Sequence, residues 1–327
     1  MTLPLTRRRL MAAGLASAVF APVTLRAQVW PSKPVKIICA FPPGGITDLY
    51  SRAYGEYIAQ KTGQTVIVEN RPGAGGSVAC QALKAAAPDH HTLLTVISST
   101  LLGNRIVMRD LPYDPDRDFA LISLMSTGHL PLVVHKSTGA GNLAQFVDFA
   151  RRNRVSFGSY AAGSFAHIVC HELNRAYNLD MTLVNYRGEA PMWNDLLSGS
   201  SQCAIGSYQA ARGALDSGAG VPIAVQTTRR MKKLPQVATY VEQGLDLPAL
   251  KLLSWAGLLG QAAMPQEIVQ RISDLMVEAG RSERIQKLID TFGVDDAAQD
   301  HATFRHIYDT QGPVWLDAVR NLGLTPS

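Results

Sequence analysis

Residues 41–48 read FPPGGITD and carry the most suggestive chemistry in the chain. Pro42 and Pro43 stiffen the backbone and bring no donors, whereas Gly44 and Gly45 leave their N–H groups without side-chain cover. The stretch follows the apolar run Val35 to Ala40 and precedes a segment with helical spacing. It therefore places free N–H groups at a helix start, where partial positive charge suits a carboxylate. Asp48 reads two ways. As an acid in the first turn it favours the helix dipole, with Thr47 as cap; as a ligand contact it accepts a hydrogen bond. The two roles are compatible, with Gly44 and Gly45 cradling an anion.

Other groups invite stronger chemistry and do not sustain it. His167 and His171 stand four apart on one helix face, but HIVCH lacks the glutamate of a zinc-protease helix, so no metal is expected. RPGAGGS has no Lys before its Ser and misses the dinucleotide glycine spacing, which leaves a strand-to-helix turn, with Arg71 near the cleft edge as the alternative use, and no cofactor is expected. Ser77 and Ser164 raise the idea of a serine hydrolase. The loop from Asn70 to Gly76 is too long for a nucleophile elbow, however, and neither serine has an identifiable base and orienter. Cys39, Cys80, Cys170 and Cys203 form no CxxC pair. Each sits in an apolar setting that suits a buried thiol, although three full pairings into two bridges are possible.

These groups need elements to hold them. With 327 residues, 46% hydrophobic and 17% charged, the chain can fill two cores. TRRRL at 6–10, the acid-free apolar run after it and RAQ at 26–28 read as an export signal cleaved near Ala27; Arg7 and Arg8 suit a twin-arginine leader, and the Sec route is the alternative. Four of the 31 Lys and Arg residues lie before residue 28, and the remaining 27 nearly balance 26 acids, so nucleic acid is not an expected partner. The basic run Arg229, Arg230, Lys232 and Lys233 reads as a solvated turn. Beyond the leader, β-rich runs alternate with helical ones: VKIICA then a helix over 47–61 closed by Gly63, TVIVEN then a helix from Ser77, and TLLTVI then SST. The alternation resumes with VSFGS and a helix at Ser164, MTLVNY and a helix at Pro191, QCAIG and SYQA, then VPIAVQ. It predicts parallel sheets covered by helices. DFALISLMSTGHLPLVVH joins the two blocks without a helix, LLSWAGLLG returns, and helices follow over 265–280, 282–292 and 301–321. Trp193, beside Leu196 and Leu197, reads as core; Trp255, on the return, reads as a hinge anchor or a cleft wall. Two lobes joined by two crossovers put the default site between them.

WPSKPVKIICAFPPGGITD, VIVENRPGAGGSVA, AAPDHHTLL, LPYDPDRDFALIS, GSYAAGSFAHIVCHEL, NYRGEAPMWNDLLSGS and SWAGLLGQAAMPQEIVQRI resemble, in the same order, stretches of the Bug family. These are the periplasmic solute-binding proteins of tripartite tricarboxylate transporters. The resemblance implies a type II periplasmic binding protein fold, with two α/β lobes and a ligand cleft: residues 28–125 plus 254–327 in lobe 1 and 126–253 in lobe 2. It implies a monomeric periplasmic receptor, not an enzyme, that binds a small organic acid or amino-acid-like ligand and meets the transporter's membrane components. Carried over residue by residue, the ligand loops fall on Phe41, Pro42, Pro43, Gly44, Gly45, Thr47 and Asp48, with Ser99 and Thr100 beside them. In the second lobe they fall on Ser164, His167, Tyr186, Arg187, Gly188 and Ser207. Local physics agrees, since Ser164 is a natural N-cap and Ser99 and Thr100 end a strand.

Two departures stand out. Glu189 replaces a usually small residue, and AIGSYQA lacks the acid that often follows this strand. A second acid at the cleft would repel a dianion and suit a ligand with an ammonium or amide N–H, which makes Glu189 a further candidate contact. A sensor feeding a signalling kinase fits the same sequence.

Overall fold

The computed structural model describes residues 30–186 and 188–326. The leader expected over 1–27 and the candidate contact Arg187 lie outside them.

Two five-stranded sheets organise the chain. The first is built from β1 (Val35–Cys39), β2 (Val66–Asn70), β3 (Thr92–Ile97), β4 (Phe119–Ser126) and β10 (Trp255–Gln261), in the order β2-β1-β3-β10-β4. The second holds β5 (Pro131–His135), β6 (Ser156–Ser159), β7 (Thr182–Asn185), β8 (Cys203–Ile205) and β9 (Gly220–Val225), in the order β7-β6-β8-β5-β9. β1 is parallel to β2 and β3, and β6 is parallel to β7 and β8. The sheets are nonetheless mixed, because β10 runs antiparallel to β3 and β4 and β5 antiparallel to β8 and β9. These two strands enter from the opposite lobe, at the edge where the parallel strands end, so they must run the other way. That reversal turns the C-terminal ends of both sets of parallel strands toward the crossovers.

Helices follow the strands with ordinary start and stop chemistry. α1 (Ile46–Thr62) ends at Gly63, whose φ of 72° lets its N–H return to the Ala59 carbonyl. After β2 comes α2 (Ser77–Lys84), after β3 the short α3 (Asn104–Val107), and after β5 α4 (Leu143–Arg152), a helix absent from the expected alternation. Its signal was present: Asn142 caps it by accepting from the Gln145 N–H, and Leu143, Phe146, Val147 and Ala150 line one buried face. α5 (Phe165–Tyr177), α6 (Glu189–Ser198) and α7 (Tyr208–Asp216) follow β6, β7 and β8; α8 (Gln266–Ala279), α9 (Glu283–Phe292) and α10 (His301–Arg320) close the chain on the first lobe.

One apolar cluster runs through both lobes and includes Leu124, Leu132, Phe165, Leu250, Phe304 and Trp315. Trp255 is only 1% exposed and meets Phe304 edge-on at 4.9 Å, which makes it a core anchor beneath the return crossover rather than a cleft wall. Trp193 packs with Met192 and Leu196, as expected of a core residue. The four cysteines are buried free thiols, and burial pushes Cys80 and Cys170 up to about 12, which suppresses thiolate chemistry. The basic residues of the run at 229–233 are exposed, as expected of a solvated turn, and the turn also makes ion pairs to the first lobe. Arg229 pairs with Asp296 and Lys233 with Asp290, both on the first lobe, because the loop after β9 lies against the end of α9.

Candidate functional site

The first lip of the cleft is the turn between β1 and α1. Gly44 has a φ of +92°, a backbone that favours glycine, and its N–H donates to Asp48 Oδ2 at 3.0 Å. Asp48 is buried and accepts three further bonds, from Arg52 Nε at 3.1 Å, Arg52 Nη2 at 2.9 Å and Asn70 Nδ2 at 2.9 Å. Burial alone would raise its pKa. The bonds from Arg52, Gly44 and Asn70, with the Arg52 charge, outweigh burial and hold the carboxyl below the ordinary carboxylate range. Asn70 Nδ2 also donates to the Phe41 carbonyl at 2.9 Å, tying the turn to the end of β2.

The acid in this turn thus has a physical role: it faces inward, is neutralised by Arg52 and shapes the loop. α1 has Gly45 as its N-cap and no side-chain cap, so its first N–H groups keep no intrahelical acceptor. Space above them is open, since a Cβ at Gly44 or Gly45 would meet no atom within 4 Å. Arg52 and Asn70 were not among the expected site residues. The i, i+4 spacing from Asp48 could have pointed to Arg52; no sequence signal marks Asn70.

Beside this turn the β2–α2 loop crosses the ends of β1 and β3. Gly75 O accepts from Thr100 Oγ1 at 2.9 Å and from Asn104 Nδ2 at 3.2 Å. A Cβ at Gly76 would lie 2.7 Å from Thr100 Oγ1, so this contact requires glycine. The Thr100 hydroxyl is therefore occupied in holding the loop, while Ser99 beside it is half-buried. Ser77 Oγ is buried without a hydrogen-bond partner among the described residues.

The second lip is made by the starts of α5, α6 and α7. Ser164 caps α5 by accepting from the His167 N–H at 3.4 Å, and its hydroxyl shares a hydrogen bond with Ser159 Oγ at 3.0 Å. His167 Nδ1 accepts from the Gly163 N–H at 3.2 Å. Burial, aided by nearby His171, lowers the His167 pKa, so the ring is neutral at pH 7 and Nε2–H is its donor. The Tyr186 hydroxyl donates to Asp195 Oδ2 at 2.7 Å. Gly188, with a φ of +100°, caps α6 and donates its N–H to the Tyr160 carbonyl at 3.2 Å.

Glu189 turns toward the start of α7. Its carboxylate accepts from the Ser207 N–H at 3.1 Å and from Ser207 Oγ at 2.6 Å. A Cβ at Gly206 would lie 3.1 Å from Glu189 Cδ. The two departures noted in the sequence therefore meet in space: Glu189 supplies a carboxyl over Gly206, which carries no side chain of its own, and secures the cap of α7. Burial raises the Glu189 pKa above its ordinary 4.5 despite the Ser207 bonds. The folded state then holds this proton at pH values where the unfolded chain has lost it, so the group's contribution is present below about pH 4.5 and declines as pH rises through the folded pKa. Stability measured relative to Glu189→Gln should accordingly fall as pH is raised above 4.5, and denaturation midpoints of the two proteins across pH 4–8 check this.

The lips approach across the cleft. A Cβ at Gly163, before α5, would lie 3.2 Å from Val107 Cγ1 on α3. Main-chain donors on one side and a neutral imidazole donor on the other can hold an anion by hydrogen bonds.

Comparison with known proteins agrees with the two-lobed fold. The chain is 28% identical over 312 residues to the UPF0065 protein in the tcbD-tcbE intergenic region of Pseudomonas sp. (strain P51), covering 94% of this chain and 92% of that one. It is 27% identical over 310 residues to Protein BugT of Bordetella pertussis, covering 94% of each. The structure of R. palustris Rpa4515 with adipate superposes with a TM-score of 0.79 at 25% identity, covering 91% of this chain and all of that one. The two lobes are those of the periplasmic binding proteins of this type. The TctC model, described as tripartite tricarboxylate transporter family receptor, matches residues 51–324, and the chain belongs to that family.

Proposed function

We propose that this protein is a periplasmic receptor that closes on a small carboxylate, an organic acid or an amino-acid-like molecule, and delivers it to the membrane components of a tripartite transporter. The observation that carries the reading is the uncapped start of α1 beneath open space, held in shape by a buried, neutralised acid. The adipate bound by Rpa4515 supports a carboxylate as ligand class. In this reading the N–H groups of Gly45, Ile46 and Thr47 grip one carboxylate, and His167 Nε2–H reaches the ligand from the facing lobe, with Ser99, Tyr186 and Gly188 around it. Glu189 serves α7 more than it serves a ligand ammonium, because Ser207 already engages both of its oxygens. The lobes, 28–125 with 254–327 and 126–253, draw together because the bridged state gains contacts that the open state lacks. No covalent step is involved.

Thermal-shift screening of the mature chain against organic acids, amino acids and aromatic acids tests this. A carboxylate that binds only the folded state adds about 2.7 kcal/mol at a concentration 100 times its Kd, a shift of several degrees. A screen in which no carboxylate raises the melting temperature contradicts the proposal.

A further inference from the structure

The basic turn after β9 meets the first lobe at one buried carboxylate. Asp295 Oδ2 lies 3.0 Å from His129 Nε2, and the two side chains are only 3% and 5% exposed. Asp295 Oδ1 accepts from the Lys232 N–H at 3.2 Å, and Lys232 Nζ donates to the Asp295 carbonyl at 3.0 Å. His129 belongs to the four-residue crossover from β4 to β5; its Nδ1 lies 3.0 Å from Thr227 Oγ1 and 3.1 Å from the Gln226 carbonyl, at the start of the return path. Lys232 belongs to the second lobe, where neighbouring Met231 packs with Val225, Leu234 and Val237. Asp295 stands between α9 and α10 of the first lobe, flanked by Val294 and Ala298 of that lobe's core. One acid therefore ties the first lobe both to a crossover and to the second lobe.

We propose that Asp295 is a positioning residue that fixes the angle between the lobes. The crossovers are cross-linked close by, Thr127 N–H to the Ser254 carbonyl at 3.1 Å and His129 Nδ1 to Thr227 Oγ1 at 3.0 Å, so the axis of any lobe rotation passes near Asp295. Contacts near an axis move little during closure but resist twist and slide. The packing is also close: a Cβ at Gly293 would lie 2.8 Å from Tyr208 Cδ1 of α7. Around this buried centre the Arg229–Asp296 and Lys233–Asp290 pairs are more exposed, hence screened by salt, whereas the His129–Asp295 contact is buried. Without Asp295 the lobes sample more angles, and apparent affinity falls by the fraction of molecules that remain competent.

Asp295→Asn keeps the shape and removes the charge. Nitroxide labels on Val78→Cys of the first lobe and Leu197→Cys of the second, 42% and 37% exposed, report the interlobe distance by pulsed electron resonance, and the native cysteines are buried. The expected result is a broader distance distribution in the unliganded protein, narrowed again by saturating ligand, and an affinity about tenfold weaker. Affinity is read for whichever of adipate, malate, L-glutamate and benzoate raises the melting temperature most. Asp216→Asn, which removes only an exposed pair with Arg212, should change neither readout. If Asp295→Asn does not fold, Lys232→Gln, which removes the Nζ bond, should give the same broadening to a smaller degree. A wild-type distance distribution, or a broadened one with unchanged affinity, overturns the proposal. The inference rests on the receptor reading only for its affinity arm: if none of the four compounds binds the wild type, the wider carboxylate screen decides that reading, and the distance distribution still decides the role of Asp295.

Discussion

Gly45→Asp should leave the protein as stable as before, or slightly more so, while lowering carboxylate affinity by at least two orders of magnitude. Gly45 is the N-cap of α1 with φ −78° and ψ 168°, a conformation open to any L-residue, and a Cβ there meets no atom within 4 Å. Aspartate is a better N-cap than glycine by a few tenths of a kcal/mol, because its carboxylate accepts the free N–H groups of the first turn. Those are the groups assigned here to the ligand. The variant therefore fills the anion site with the protein's own charge and repels a second carboxylate by roughly 3 kcal/mol at about 5 Å in an intermediate dielectric. Opposite signs on stability and affinity separate a lost site from a damaged fold. Gly44 would be a poorer choice, since its positive φ makes any side chain there strained. Calorimetric titration and thermal melts of both proteins check the pair of expectations.

Asp48→Ala should be costly in both respects. It removes the acceptor for the Gly44 N–H, for two Arg52 nitrogens and for Asn70 at once. Bonds to a charged group are each worth more than neutral ones, but Arg52 is 44% exposed and can be rehydrated, so a loss of about 2–3 kcal/mol is expected in place of the larger value for a fully buried pair. The pH dependence has a definite sign. The folded pKa lies below the ordinary 3.8, so the contribution of Asp48 is full above that value and is lost as pH falls through the folded pKa. The gap in stability between wild type and variant should therefore be constant from pH 5 to 8 and shrink below about pH 4, as urea midpoints would show. Affinity should fall at least tenfold, since the donors of α1 are no longer held in one geometry.

Much of the fold was legible in local signals. The helix expected over 47–61 with Gly63 beyond it spans Ile46–Thr62 and is closed by that glycine. The helix expected at Pro191 begins two residues earlier because Gly188, with its positive φ, ends the extended chain sooner. Strand direction was not legible at β5 and β10, where alternation of strands and helices says nothing about the side from which a strand enters. At the site, FPPGGITD marked a helix start with free N–H groups, which the uncapped start of α1 matches, yet the inward orientation of Asp48 depends on Arg52 and on Asn70 of β2. Glu189 was recognised as out of place, but its partner Ser207 is 18 residues away and only folding brings the two together. The basic run at 229–233 is exposed as its composition implies, but its ion pairs to Asp290 and Asp296 are not legible locally, because those acids come from the far end of the chain.

A crystal structure of the mature protein with the carboxylate that raises its melting temperature most is the direct test of the binding turn. Oxygens of that carboxylate should lie about 2.7–3.2 Å from the backbone nitrogens of Ile46 and Thr47, with Asp48 still bonded to Gly44, Arg52 and Asn70. A carboxylate seated elsewhere, with the first turn of α1 hydrated or capped by protein, would contradict it.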